Sequence, residues 1–303
     1  MSASDTSYIC PKIDTYLKAT KGTIWTVEAK RIGSVIVDCC VWIRSDDCPD
    51  EEISLPLIGQ YVLGLIAWIQ TLRWSSRELK RLKVELYLSP HKKVWCPAMT
   101  TTIDRCHMNS GETSFYEKEA AAAIKIWRRE DYAKVLIHEL LHAFDWDRLV
   151  PVQVRHNVKT KVHEAEAVVE ALANVFQCLL FSKGDPVLFH KNRLIERDHA
   201  LAIALELSSR TWTTRETHVR EYCLLKAALL CTEETFSRFW SWLSSKDERT
   251  AQHTWAELRD FCEDELRNVV FMLRQKQTTG KSTCVSLRLV SLSLSLSPSR
   301  IFF

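Results

Sequence analysis

Apolar and polar residues follow two different periods along the chain. Residues 24–43 are rich in Val, Ile and Trp, and residues 84–88 and 123–127 alternate between apolar and other side chains. A period of two residues is typical of half-buried strands, so these three segments are predicted to form a sheet. Residues 89–115, which contain prolines and a polar Asn-Ser-Gly turn, are predicted to be a long connection.

The second half of the chain has helical periodicity. Apolar residues recur every three to four positions in segments that are predicted to be helices: residues 132–144, 160–181, 193–208, 215–231, 233–244 and 254–276. An earlier apolar run, residues 55–72, also predicts a helix. Because Gln60 and Gln70 interrupt this run, it favours a buried core helix over a membrane span.

These elements predict an α+β fold in which a small mixed sheet is followed by a mainly helical C-terminal half. Beyond the last predicted helix, Ser and Leu alternate in a low-complexity tail that is predicted to be disordered. The predicted organisation is an N-terminal segment, one domain with a sheet-containing part and a helical part, and the tail: residues 1–22, 23–130, 131–276 and 277–303.

The composition narrows the expected partners and compartments. The 41 basic and 38 acidic residues nearly balance, so no nucleic acid is expected as a partner. The 11 cysteines are irregularly spaced without a C-x-x-C pair, which favours reduced thiols. The first 15 residues include Asp5, Lys12 and Asp14, so no signal peptide is predicted. We therefore expect a cytoplasmic or nuclear protein without membrane association, and the oligomeric state is left open.

The segment HELLH at 138–142 carries the clearest chemistry. His138 and His142 are four positions apart, so on a helix their imidazoles project from one face and suit two ligands of one Zn²⁺. Glu139 can reach a water at the metal without binding the metal itself. The residues around the motif are apolar, which indicates a packed helix beneath a sheet. The motif predicts a zinc peptidase with Glu139 as general base.

A catalytic zinc needs a third protein ligand. The extended metzincin pattern requires Gly and His where this chain has Asp145 and Arg148, so that subclass is excluded. The helix predicted at 160–181 supplies glutamates instead. Glu166 is predicted as the third ligand, and Glu170, one turn further on, as the carboxylate that orients a ligating histidine in a thermolysin-type site.

The register of this helix leaves alternatives open. Glu164, His163 and His156 remain candidates for the third ligand. Asp145 and Asp147, which follow His142 closely, are candidates to accept a hydrogen bond from an imidazole N–H, although they equally suit the end of a helix.

Two residues downstream are candidates for stabilising the oxyanion. His218 and Tyr222 are four positions apart on a predicted helix and are of the right type to donate hydrogen bonds. The main alternative to a peptidase is a catalytically inactive interaction module held together by a structural zinc. The presence of Glu139 argues against that alternative.

Several strings together resemble the HExxH zinc metallopeptidases of gluzincin type that are encoded by large DNA viruses and by some algae and protists. The resemblance covers about residues 55–235 and is carried by VELYLSP, HMNSGET, IKIWRREDYAKVLIHELLHAF, EAVVE and THVREYCLLKAALL, at residues 84–90, 107–113, 124–144, 166–170 and 217–230.

This resemblance implies a zincin-like fold that acts on a protein or peptide substrate with one Zn²⁺. His138, His142 and Glu166 would be the ligands and Glu139 the base. The edge of the substrate cleft would be formed by four residues of the HMNSGET string: Asn109, Ser110, Gly111 and Thr113. A shorter resemblance links HELLHAFD to mitochondrial ATP-synthase assembly peptidases, but that family has a cysteine where this chain has Asp147.

Overall fold

The computed structural model describes the following residues: 9, 11–18, 22–44, 54–72, 78–93, 102–103, 110–150, 158–209, 213–214, 219–244 and 248–278. Within them, helices α1 to α8 are Pro11–Lys18, Leu55–Thr71, Tyr132–Ala143, Val158–Ser182, Pro186–Ser209, Val219–Leu230, Glu233–Ser244 and Glu248–Thr278. Strands β1 to β7 are Gly22–Ile32, Val35–Arg44, Arg81–Ser89, Thr102–Ile103, Gly111–Tyr116, Ala121–Arg128 and Thr213–Thr214.

Five of the strands form one mixed sheet in the order β1-β2-β3-β6-β5. The central pairs β2/β3 and β3/β6 are parallel, and the outer pairs β1/β2 and β5/β6 are antiparallel. The remaining strands, β4 and β7, pair only with each other. The predicted α+β class with a mixed sheet is therefore confirmed.

The described elements form two compact units. The first contains the five-stranded sheet together with α1, α2 and α3, and the second contains β4, β7 and the helices from α4 onward. In the first unit, α2 packs against β1 and β2, and α3 packs against β5 and β6. Burial alternates along β3, where Leu82, Val84 and Leu86 are fully buried, as expected of a strand with one face in a core.

Helix α1 lies within the segment that was predicted to precede the domain. Its Ile13 is 1% exposed and packs against Trp127 of β6, so this helix shares the core of the first unit. The tail predicted at 277–303 lies outside the described residues except for its first two positions, which end α8.

Strand β5 was predicted to belong to a long connection, and that prediction was wrong. Its sequence GETSFY has no apolar alternation, and its side chains are half-buried or exposed. The strand forms because it lies at an edge of the sheet, where pairing with β6 over Gly111 to Tyr116 supplies its backbone hydrogen bonds.

Among the described helices, one stretch, Glu164–Ser182 of α4, is long and apolar enough by composition to cross a membrane, but 67% of its most apolar window is buried inside the protein. Helix α2, predicted as a core helix, is shorter and buries one face, including Val62, Ile66 and Ile69. Both helices have the composition of ordinary core helices.

Candidate metal centre

Helix α3 brings the two histidines of the HELLH segment together. It begins after Asp131, which has a left-handed backbone (φ 58°), and packs an almost continuous apolar surface into the core of the first unit. The Nε2 atoms of His138 and His142 are 3.0 Å apart, and the two rings meet edge to face with centroids separated by 4.6 Å. The i, i+4 spacing has therefore brought one nitrogen of each imidazole close to the other on the same face of the helix, as the sequence predicts.

This separation suits a shared metal ion. Two nitrogens that each lie 2.0–2.1 Å from one tetrahedral zinc are about 3.3 Å apart, close to the 3.0 Å found between His138 and His142. His138 is 8% exposed and His142 is half-buried, so the pair is partly shielded from water yet reachable. Such a pair fits a zinc site that keeps one side open.

Glu139 lies beside this pair with its carboxylate in a confined place. The residue is 6% exposed. The hydroxyl of Thr113 on β5 lies 2.6 Å from its Oε2 atom and 3.1 Å from its backbone oxygen. A buried carboxylate is tolerated only where hydrogen bonds replace its water shell. The edge strand supplies one such bond.

The same strand approaches α3 so closely that a side chain at position 111 would displace a neighbour. A Cβ atom built on Gly111 would lie 2.8 Å from Val135 and 2.9 Å from Oε1 of Glu139. The spacing between β5 and α3 therefore favours glycine at this position. The position of the strand is secured by the amide of Trp127, which donates to the carbonyl of Ser110 at 2.9 Å.

The four predicted cleft-edge residues do not share one environment. Ser110 is 4% exposed, and within the described part of the chain its hydroxyl has no hydrogen-bond partner. Gly111 and Thr113 are half-buried on the edge strand, and Asn109 lies outside the described residues. Their role toward a substrate stays a prediction.

Glu166, the predicted third ligand, lies on α4 in the second compact unit, whereas the histidine pair lies in the first. Among the described residues, these three side chains are candidate ligands whose types suit one metal ion. Two imidazoles and one carboxylate are the protein ligands of a His₂Glu zinc site, so the residues present fit that ion.

Glu164, the alternative ligand from the same helix, is engaged elsewhere. Its Oε2 atom accepts a hydrogen bond from the indole of Trp255 at 2.7 Å, and its Oε1 atom lies 2.7 Å from the guanidinium of Arg259. Both partners belong to α8. Glu164 is therefore engaged in contacts with α8, and Glu166 remains the predicted ligand. The two alternative histidines, His156 and His163, have side chains outside the described residues.

Glu170 lies one turn beyond Glu166 and pairs with a buried lysine. The ammonium of Lys226, a residue only 5% exposed on α6, donates to Oε1 of Glu170 at 3.3 Å. The side chain of Glu170 is only 13% exposed, and burial disfavours its negative charge. The ammonium of Lys226 beside it stabilises that charge. Lys226 was not singled out from the sequence, since a lysine on a predicted helix is normally solvated.

Tyr222, four residues before Lys226 on α6, remains protonated at neutral pH. Burial raises the pKa of its hydroxyl well above the usual value, and electrostatic interactions with Cys223, Glu170 and Glu166 raise it further. A protonated phenol is a hydrogen-bond donor, which is the property predicted for this residue. Its candidate companion His218 lies outside the described residues.

Asp145 and Asp147 follow the helix end. Asp145 has a left-handed backbone (φ 66°) and its amide donates to the carbonyl of His142 at 2.8 Å, so the residue ends α3 directly after the second histidine. Asp147 is half-buried in a short 3₁₀ helix, Trp146–Leu149. The predicted hydrogen bond from an imidazole to either carboxylate stays a prediction.

No protein-family model, curated protein or solved structure matches this chain.

Proposed function

We propose that this chain is a zinc-dependent peptidase that hydrolyses peptide bonds with Glu139 as general base. The observation that carries the proposal is the 3.0 Å separation of the Nε2 atoms of His138 and His142 on a helix that also holds Glu139. Glu166 is proposed as the third ligand, because its carboxylate is half-buried on α4 and completes a His₂Glu set by residue type. One Zn²⁺ is the expected cofactor.

Glu139, Tyr222 and Glu170 are proposed to have separate roles in the reaction. Bound zinc would supply Lewis acidity, which polarises a carbonyl and acidifies water. Glu139 takes a proton from the attacking water and returns it to the amine that leaves when the C–N bond breaks. Tyr222 is proposed to donate to the oxyanion, since its raised pKa keeps its proton in place. Glu170, held by Lys226, is proposed to orient a ligating histidine.

We also propose a zincin-like fold of gluzincin type for the part of the chain that holds HELLH. Support comes from the mixed sheet, from the packing of α3 against β5 and β6, and from the antiparallel pairing of the edge strand β5. The expected substrate is a protein or peptide, and the expected compartment is the cytoplasm or the nucleus. The resemblance to the viral, algal and protist peptidases remains a prediction.

Metal analysis and a peptide-library cleavage assay test the function together. The parent is expected to bind one zinc and to cleave peptides. Glu139→Gln should keep the zinc and lower kcat by about 10²–10⁴-fold, because the proton acceptor is lost but no ligand is. His142→Ala should lose both zinc and turnover.

Three outcomes would contradict this proposal in different ways. A parent that binds no zinc and cleaves nothing would remove its basis. Turnover in Glu139→Gln equal to that of the parent would exclude Glu139 as the base. A parent that binds zinc firmly but cleaves no peptide would favour the inactive module with a structural zinc.

A further inference from the structure

Among the predicted cleft-edge residues, Thr113 has a hydroxyl that contacts Glu139. Its Oγ1 atom lies 2.6 Å from Oε2 of Glu139 and 3.1 Å from the backbone oxygen of the same residue. A hydroxyl can donate one hydrogen bond, and a carboxylate oxygen at the shorter distance is the preferred acceptor. Thr113 therefore donates to the carboxylate that is proposed to act as the base.

A second residue of the same strand, Gly111, also confines the carboxylate of Glu139. Its Oε1 atom lies where a Cβ on Gly111 would come within 2.9 Å, and its Cγ atom would be 3.1 Å from that Cβ. Gly111 and Thr113 are two residues apart on β5, so their neighbouring positions on one face of the strand flank Glu139. Main-chain pairing of β5 with β6 holds both positions rigidly.

We infer that Thr113 is a positioning residue for Glu139, an assignment that rests on the proposed peptidase function. The hydrogen bond occupies Oε2 and fixes the plane of the carboxylate, so that Oε1 accepts the proton of the attacking water. In this step a water O–H bond breaks, the water oxygen bonds the carbonyl carbon as the π pair of the C=O bond moves to the carbonyl oxygen, and the proton moves to Oε1. It then passes to the nitrogen of the breaking C–N bond. The hydroxyl of Thr113 keeps its own proton throughout.

Two substitutions separate the hydroxyl from the shape of the side chain. Thr113→Val preserves the branched shape and removes the donor, whereas Thr113→Ser preserves the donor and removes the methyl group. In the zinc-loaded full chain, Thr113→Val should lower kcat by about 10–100-fold, with KM changed by less than about twofold and one zinc retained. Thr113→Ser should restore kcat to within about threefold of the parent.

Other results of the same assay would overturn the assignment. A parental kcat in Thr113→Val would show that the hydroxyl does not matter. Equal losses in the Val and Ser variants would indicate that only the packing of the strand matters. A raised KM with an unchanged kcat in Thr113→Val would instead favour direct contact between Thr113 and the substrate.

A second measurement does not depend on turnover, so it separates this inference from the proposed function. The melting temperature of the full chain is compared for Thr113→Val, Glu139→Leu and the double variant. If the hydroxyl and the carboxylate are bonded, the double variant should lose less than the sum of the single losses. Additive losses would overturn the assignment, whereas a parent without turnover but with this coupling would overturn only the peptidase proposal.

Discussion

Two glutamates on α4 show how a shift of two residues changes the role of a side chain. Successive residues of a helix are rotated by about 100°, so positions 164 and 166 point in nearly opposite directions. Glu164 is bonded to Trp255 and Arg259 of α8, whereas Glu166 is proposed to bind the metal ion. Glutamates two positions apart therefore allow a matched comparison of a proposed ligand and a non-ligand.

Replacing Glu166 by glutamine should affect zinc binding, whereas replacing Glu164 should affect thermal stability. Glu166→Gln should weaken zinc binding by more than about 100-fold, because even a residue that only orients a ligand costs 10–100-fold when it is lost. Glu164→Gln should bind zinc like the parent but unfold at a lower temperature, because the ion pair with Arg259 is lost. Competition with a zinc chelator measures the first effect and thermal unfolding the second.

The control is built into this pair, since both substitutions remove one negative charge from the same helix. Weakened zinc binding in Glu164→Gln together with normal binding in Glu166→Gln would reverse the assignment. Equal weakening in both would indicate that the total charge of α4, rather than a specific ligand, governs zinc binding.

At the scale of elements, the spacing between β5 and α3 determines where Glu139 can lie. Gly111 is the point of closest approach, with Val135 and Glu139 both within reach of an added Cβ. The strand is held by its pairing with β6 and cannot retreat without losing those hydrogen bonds. A larger residue at position 111 must therefore displace the glutamate or the strand.

Gly111→Ala is expected to destabilise the fold by about 1–3 kcal/mol, as overpacking of a filled site usually does. It should also lower turnover by displacing the carboxylate of Glu139. Gly64→Ala in α2 is the matched control, because nothing lies within 4 Å of a Cβ built there. In a helix interior this change should be neutral or stabilise the fold by about 0.5–1 kcal/mol. Denaturant unfolding measures both, and equal stability of the two variants would contradict the close approach.

At the scale of the whole molecule, most of the described cysteines behave as buried apolar residues. Six thiols lie in the described part of the chain, and all except Cys40 are buried: Cys39, Cys40, Cys178, Cys223, Cys231 and Cys262. Burial raises the pKa of Cys39, Cys178 and Cys262 to about 12 in each case. Since the thiolate is the reactive form, these thiols should be unreactive in the folded protein.

Alkylation near neutral pH should show this protection. In the native protein, Cys39 should stay unmodified while its half-buried neighbour Cys40, which faces the opposite side of the strand, reacts first. Both should react after unfolding, and fragment mass spectrometry distinguishes the two positions. Equal labelling of Cys39 and Cys40 in the native protein would contradict the burial described for β2.

The sequence by itself determined the local features of this protein. Helix α3 and the facing histidines follow from the period of 3.6 residues and the spacing of four, because both depend only on neighbours along the chain. The α+β class and most helices were predictable for the same reason. Helix α5 was predicted to begin at 193 but begins at Pro186, because Asp185 caps it with bonds to the amides of Val187 and Leu188.

Only the tertiary structure decided the features that join distant parts of the chain. Strand β5 carries no apolar alternation, so its pairing with β6 alone makes it a strand. The bond from Thr113 to Glu139 spans 26 positions, and the bonds of Glu164 to α8 span more than 90. Hydrophobic periodicity states which residues are buried, but not which buried groups meet. Which buried groups meet depends on how the elements pack, and this packing determines the surroundings of Glu139 and Glu164.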